Sequence, residues 1–472
     1  MKIKLVKDFE GIVPIPNAFD FGPFIKLWKG DFRPSDGETS EFIRNNNHRI
    51  ISSFNTTLQP IINEWEYTYN LTISDEYVGD VNTVYLYPIR LFELFTYSFN
   101  MEFKYNIDKS IIDCIGEKSK LFASKKNFYY YIEYTWEGYF SQHFFHKIYY
   151  ELRKNKIPAD KVIFCTNTQN INDLHSKFLN NFPKENLITF THYNQCMLGK
   201  LRDYTYSNNE DSNNTFLTEE YLQENPIREK KALILNRRLR YHRLYLLSNL
   251  IYDDLLKDTL VSFDMDMVVN VEFLNSIGHL KDQNRFITDE VFFNKTIAGY
   301  KKLEEIQKIT LDYNKLSNVI GLGYETKELY ERTYFSIVTE TLFDDDEWFI
   351  SEKTYKPIIQ LHPFVIVGSP YTLKYLKSYG FKTFDKWWDE SYDNIENSND
   401  RMLAVYNTIE TLIKLPKNKW NTIYNEITEV LIHNKNIMLG LSENNITTQL
   451  SVLNNLTNII ENKNNNIDIR LF

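Results

Sequence analysis

Twice along this chain an apolar, aromatic or β-branched run gives way to a segment of helical period and then to another apolar run. In the first series FYYYIEYT (128–135) reads as a buried strand. A helix follows over 141–154, then a strand in KVIFCTN (161–167), a helix over 172–181 and a strand in NLITFTHYN (186–194). In the second, KALILNRR (231–238), TLVSF (259–263), YFSIVTET (334–341), PFVIVG (363–368) and FKTF (381–384) read as strands. Helices are expected over 241–256, 295–310, from Ser351, and over 369–380 with a Gly stop. Strand, helix, strand is the rhythm of a parallel sheet covered on both faces, because each parallel return needs a crossover of a dozen residues or more.

Between the two series, residues 205–229 lose both periods and fill with Asn, Ser, Asp and Glu, which marks a linker or loop. The opening, punctuated by Pro14, Pro16, Gly22 and Gly30, reads as strand and loop. Residues 41–66 have helical spacing, TVYLY (83–87) reads as a strand stopped by Pro88, and 90–99 as a helix. Helical, Asn-rich segments fill 400–460. The expected fold is α/β: two Rossmann-like domains facing a cleft, over 1–215 and 216–415, with a C-terminal helical extension and tail over 416–472. In open α/β sheets ligands bind beyond the carboxyl ends of the strands, so polar residues just after each strand are the candidates.

Composition removes several function classes. With 43% hydrophobic residues the 472-residue chain can bury large cores. A net charge of −9 argues against a protein held to nucleic acid or anionic lipid by an overall positive field, though it leaves room for a local basic cleft. Cys114, Cys165 and Cys196 are too sparse for a disulfide framework or a zinc motif. The first residues lack the apolar stretch of a signal peptide, and no apolar run is long enough to span a membrane. A soluble, cytoplasmic protein is expected, in the host cytoplasm if viral. The abundance of Asn, Ile, Lys and Tyr fits an AT-rich viral or bacterial genome.

Two constellations could carry chemistry. NRRLRYHR places Arg237, Arg238, Arg240, His242 and Arg243 where a strand runs into a helix. Guanidinium forks match phosphate oxygens and a helix N-terminus adds oriented N–H groups, so this is a possible diphosphate clamp, or else a solvated basic face. In WFISEKTYKPI, Ser351 is a possible N-cap, followed by Glu352 and Lys353 in the first turn. Lys at a helix start opposes the macrodipole, which raises a functional question. The carboxylate could take ribose hydroxyls and the Lys a phosphate; the plainer reading is an ordinary cap beside a solvated Lys.

The stretch 334–384 resembles the nucleotide-sugar-binding region of the α-1,3-fucosyltransferase-like enzymes and their bacterial and viral relatives. It shares their succession of strand, acidic turn, E-K pair, helix and P-(V/F)-(V/I)-x-x-G, here YFSIVTET, FISEKTYKPI and HPFVIVG. Their acidic-Asn turn is here Thr339–Glu340–Thr341, and their Asn-Ala is Lys356–Pro357. The resemblance implies an inverting glycosyltransferase of the two-Rossmann GT-B fold, with the first domain on the acceptor side. It implies a donor site of Glu340, Phe349, Glu352 on the ribose, Lys353 on the phosphates, and an upstream Arg among Arg237, Arg238, Arg240 and Arg243. The donor would be a nucleoside diphosphate sugar carrying a hexose or deoxyhexose. No tightly bound cofactor is implied, and a divalent metal is possible but not required. The acceptor would be a hydroxyl on a glycan, or on a modified base of viral DNA as the alternative; a non-catalytic sugar-nucleotide-binding protein is the third reading.

Inverting transfer needs a carboxylate that takes the acceptor's proton. Glu137, after a strand and before Gly138, fits best; Asp20, in NAFDFGPF, is second, and Glu133 lies inside a strand. Other signals read as structural. Asp264-Met265-Asp266 imitates a D-x-D metal site but falls within the βαβ series. Asp344 to Glu347 reads as a solvated loop, His143 and His146 have no third ligand nearby, and Gly321-Leu322-Gly323 lacks a preceding strand.

Overall fold

A computed structural model describes residues 2–6, 72–74, 83–90, 128–134, 142–183, 188–192, 216–236, 240–264, 289–309, 311, 327–343 and 346–443. The chain divides into two compact units, Met1–Gln195 with Glu443–Phe472, and Cys196–Ser442. Each is α/β.

The first unit is built on six strands: β1 (Lys2–Val6), β2 (Thr72–Ser74), β3 (Thr83–Arg90), β4 (Phe128–Tyr134), β5 (Val162–Thr166) and β6 (Thr189–His192). They lie in the order β2-β1-β3-β4-β5-β6, every neighbouring pair parallel. Helices α1 (Gln142–Lys154) and α2 (Ile171–Asn181) make the crossovers after β4 and β5. The Phe and Tyr of this stretch become a buried aromatic cluster, in which Phe145 meets Phe178 at 5.3 Å and Phe190 at 5.6 Å. One polar pair is enclosed with it: the Tyr149 hydroxyl and His175 Nε2 are hydrogen-bonded at 2.8 Å, and burial pushes the imidazole down to about 4. His146 lies against the Phe178 and Phe182 rings, at 5.1 and 4.1 Å, which accounts for it as part of an aromatic face.

Pro88 does not stop β3, contrary to the sequence expectation. The last β1 pair is Leu5↔Leu86, whereas pairing with β4 continues through Pro88↔Tyr131 to Arg90↔Glu133. Among the described residues the strand pairs on one side only beyond Leu86, where a residue without an N–H is tolerated. The helix expected over 41–66 lies outside the described residues, and so does the one expected over 90–99 except for Arg90, which is the last residue of β3.

The second unit holds α3 (Glu219–Glu224), β7 (Lys230–Leu235), α4 (Tyr241–Tyr252), β8 (Thr259–Asp264), α5 (Glu290–Ile306), β9 (Lys308–Ile309), α6 (Lys327–Glu331), β10 (Thr333–Thr339), α7 (Glu352–Ile359), β11 (Phe364–Val367), α8 (Thr372–Ser378), α9 (Ser398–Lys414) and α10 (Lys417–Glu443). Its sheet order is β11-β10-β7-β8-β9, parallel except for β9, which runs antiparallel along β8. From β7 the chain steps to β8 on one side and later returns to β10 on the other. The order reverses between β7 and β10, and that is the topological switch point of the sheet.

Several elements depart from their expected bounds. Helix α5 begins at Glu290, where the Asp289 side chain caps Phe292 N–H at 2.9 Å, and it ends at Ile306, followed by Gln307 with a positive φ (64°). Its Gly299 is needed for packing: a Cβ there would sit 1.7 Å from the Ser248 carbonyl oxygen of α4. Gly380, at φ 88°, stops the turn after α8 as expected. FKTF is not a strand. Phe381 and Phe384 are buried, but the Lys382 N–H and C=O both go to the Asn434 side chain, and Phe384 N–H goes to Glu390 Oε1 at 2.8 Å. A side-chain amide and a carboxylate take the places of a neighbouring strand.

The polar segment before β7 is, over 216–229, part of the body of this unit. The Leu217 N–H donates to Gln360 Oε1, Asn225 is hydrogen-bonded to Asn421, and Arg228 is buried 3.7 Å from the centre of the Tyr424 ring. Helix α10 joins the same core. Trp420 stacks on Phe335 at 5.1 Å, and the Tyr424 hydroxyl donates to the Tyr334 carbonyl.

Candidate functional site

The switch point lies between the ends of β7 and β10, and the two ends are tied together. Asn236, directly after β7, is buried, and its Oδ1 accepts a hydrogen bond from Thr339 Oγ1, the last residue of β10, at 2.5 Å. Helix α4 then starts from Arg240, which occupies the N-cap position and is half-buried. Its first turn carries no acid. His242 and Arg243 in that turn reach across to the β10 end. Arg243 Nη2 donates to the carbonyl oxygens of Thr339 (3.0 Å) and Glu340 (3.1 Å). His242 Nε2 lies 3.0 Å from the same Glu340 oxygen, and since a carbonyl only accepts, this nitrogen carries the proton. Burial first, then the charges of Arg243 and Arg240, push the His242 pKa well below its ordinary value, so the ring is a neutral donor. Burial also brings Arg243 down to about 10, which leaves it charged at neutral pH.

Glu340 is the centre of the arrangement, and it is 1% exposed. Its Oε1 accepts from Ser351 N–H (3.1 Å) and Thr354 Oγ1 (2.6 Å). Its Oε2 accepts from Ser351 Oγ (2.6 Å) and Thr341 N–H (3.2 Å). The carboxylate is thus occupied by the chain's own donors, and its place is behind the site.

Helix α7 starts where these bonds converge. Ser351 is its N-cap, as the sequence suggested, and Glu352 and Lys353 fill the first turn. Lys353 Nζ donates to Ser351 Oγ (3.0 Å), Glu352 Oε1 (3.1 Å) and Thr341 Oγ1 (3.3 Å). Both side chains remain partly open, Lys353 at 27% and Glu352 at 39%. A cation at a helix start opposes the macrodipole, and here neighbouring oxygens offset it. Phe349, two residues before the Ser351 cap, is buried at 4% exposed.

The structure therefore brings Arg240, Arg243, Glu340, Glu352 and Lys353 to one end of one sheet. It separates partly open groups (Arg240, Glu352, Lys353) from buried ones (Arg243, Glu340, Phe349). Arg237, Arg238, Glu137 and Asp20 lie outside the described residues. Asp264 ends β8, with Asp266 outside the description; Asp346 is exposed and Glu347 buried. Among the described residues no cluster of three or more His, Cys, Asp or Glu could hold a metal, and no helix is long and apolar enough to cross a membrane.

Sequence reasoning missed Arg401. Buried in α9, it donates to the carbonyls of Phe343, Gly368, Ile395 and Glu396, and so fixes the loops leaving β10 and β11. It also missed Asp393, which caps the start of α8 through Leu373 N–H (2.8 Å) and Lys374 N–H (3.0 Å). Neither has a local signal, because the strand-end loop carbonyls that Arg401 meets lie 33 and 58 residues away and the Leu373 N–H that Asp393 caps lies 20 residues away.

No family model and no curated protein matches the chain. Among solved structures, it resembles the UDP-forming α,α-trehalose-phosphate synthase of Burkholderia vietnamiensis at 8% identity, over 79% of this chain and 74% of that one, with a TM-score of 0.34. It resembles the N-terminal domain of the Candida albicans trehalose-6-phosphate phosphatase at 10% identity, over 88% and 77%, with a TM-score of 0.37. The α,α-trehalose 6-phosphate synthase of Burkholderia multivorans is 10% identical over 97% and 98%, with a TM-score of 0.35. Likeness this distant carries no inference about substrate or mechanism.

Proposed function

We propose that this chain is a nucleotide-sugar-dependent glycosyltransferase of the two-Rossmann GT-B kind, with its donor site in the Cys196–Ser442 unit. One observation carries the reading: the E-K pair and a basic helix start, far apart in sequence, meet at the switch point of a parallel sheet. There, open α/β sheets bind nucleotides. The resemblance of 334–384 to fucosyltransferase-like enzymes supplies the roles. Lys353 and Arg240 take the diphosphate, and Glu352 takes ribose hydroxyls. Arg243 holds the β10 turn in place of the phosphates.

The transferred sugar is a hexose or deoxyhexose, and the acceptor a hydroxyl on a glycan. The acceptor oxygen attacks the anomeric carbon as its bond to the diphosphate breaks, which inverts that centre. Cations stabilise the departing charge, and a carboxylate takes the acceptor's proton. Glu137 is our first choice for that base and Asp20 our second.

A thermal-stability screen against UDP-, GDP-, ADP- and dTDP-sugars tests the reading. A ligand at a hundred times its Kd stabilises the native state by about 2.7 kcal/mol, so one nucleotide class should raise the midpoint clearly. A flat response to all four removes the donor site. For the base, Glu137→Gln should slow turnover by about 10²–10⁴-fold with donor binding intact. A product that keeps the donor's anomeric configuration would rule out direct displacement.

A further inference from the structure

We propose that Glu340 is a positioning residue that sets the Lys353 ammonium for an anionic ligand, acting through the Ser351 hydroxyl. The role rests on the donor-site reading above. The Ser351 hydroxyl has one hydrogen, and it goes to Glu340 Oε2 at 2.6 Å. With the hydrogen fixed there, the oxygen's lone pairs are turned to Lys353, accepting from its backbone N–H at 3.3 Å and from its Nζ at 3.0 Å. The other carboxylate oxygen holds the next turn of α7 through Thr354 Oγ1 at 2.6 Å. One buried carboxylate thus orients both the helix that carries Lys353 and the hydroxyl that receives its ammonium.

The backbone of Glu340 joins this to the other half of the site, since its carbonyl oxygen accepts from His242 and Arg243 of α4. The two strand ends at the switch point are coupled at this residue. A buried carboxylate left without its donors, or donors left without it, is costly, so the network is held as a unit.

A double-mutant cycle on binding of inorganic pyrophosphate and of UDP, GDP, ADP and dTDP tests the role, with thermal midpoints recorded for each variant. Lys353→Ala and Glu340→Gln should each weaken binding about tenfold or more, the size expected when a charged hydrogen bond is lost or misplaced. Acting through Lys353, Glu340→Gln should change affinity by no more than about twofold in the Lys353→Ala background. Thr354→Val, nearly isosteric and less disruptive, gives the same test if Glu340→Gln does not fold: a loss of affinity in the wild-type background and none beside Lys353→Ala. Losses that multiply in the double variants of a chain that binds would overturn this role alone. Failure of the wild-type chain to bind pyrophosphate or any of the four nucleotides would overturn the donor-site reading, and this role with it.

Discussion

At the scale of single residues, two arginines three positions apart in one helix start have different work. Arg240 is at the N-cap and half-buried; Arg243, in the first turn, is 4% exposed and committed to two carbonyls. Arg243→Met keeps the apolar stem but leaves those carbonyls without their charged donor. It should lower unfolding stability by about 1.5–3 kcal/mol, read from denaturant melts. Arg240→Ala, at a half-buried side chain, should cost less than about 1.5 kcal/mol. Equal effects of the two on stability would contradict this division. The sequence showed that basic residues gather at the strand end. It could not show which of them turns inward, because that depends on β10, nearly a hundred residues later. Glu340 was legible as an acid in a strand-end turn and illegible as a saturated one, since its hydroxyl donors come from residues 11 and 14 positions on.

At the scale of elements, strands buried on both faces were readable because parallel strands are near-continuous apolar runs. Seven strands of the two series, β4 to β8 with β10 and β11, lie inside the apolar runs to within one residue. What was not readable depended on partners elsewhere. β9 is two residues long and exists only as an edge against β8, and FKTF is held by Asn434 and Glu390 in place of a ladder. That last segment should be pH-sensitive. Burial pushes the Glu390 carboxyl up to about 7, against the hydrogen bond from the Phe384 N–H that pulls it down. A raised carboxyl pKa means the folded state binds the proton more tightly, so this group's contribution is fully present below its unfolded value of 4.5 and declines as pH rises through 7. At about 1.36 kcal/mol per unit the loss is up to about 3 kcal/mol. Melts at pH 5 and pH 8 should show it, and Glu390→Gln should reduce the difference. An unchanged difference in the variant would place the titrating group elsewhere.

At the scale of the whole molecule, the chain divides into two α/β units, and the reversal of strand order at β7 and β10 marks the end of the second sheet where the proposed donor site lies. The E-K pair and the NRRLRYHR cluster are separated by more than a hundred residues, and parallel topology brings the pair together with Arg240 and Arg243 at one end of one sheet. The most direct measurement of the central claim is calorimetric titration of UDP, GDP, ADP and dTDP into the wild-type chain, Lys353→Ala and Arg240→Ala. One nucleoside diphosphate should bind the wild type, and each variant should bind it roughly ten- to a hundredfold more weakly, with the fold intact by thermal midpoint. If a nucleotide binds and neither substitution changes its affinity, the diphosphate does not sit at the β7–β10 switch point and the donor site is elsewhere.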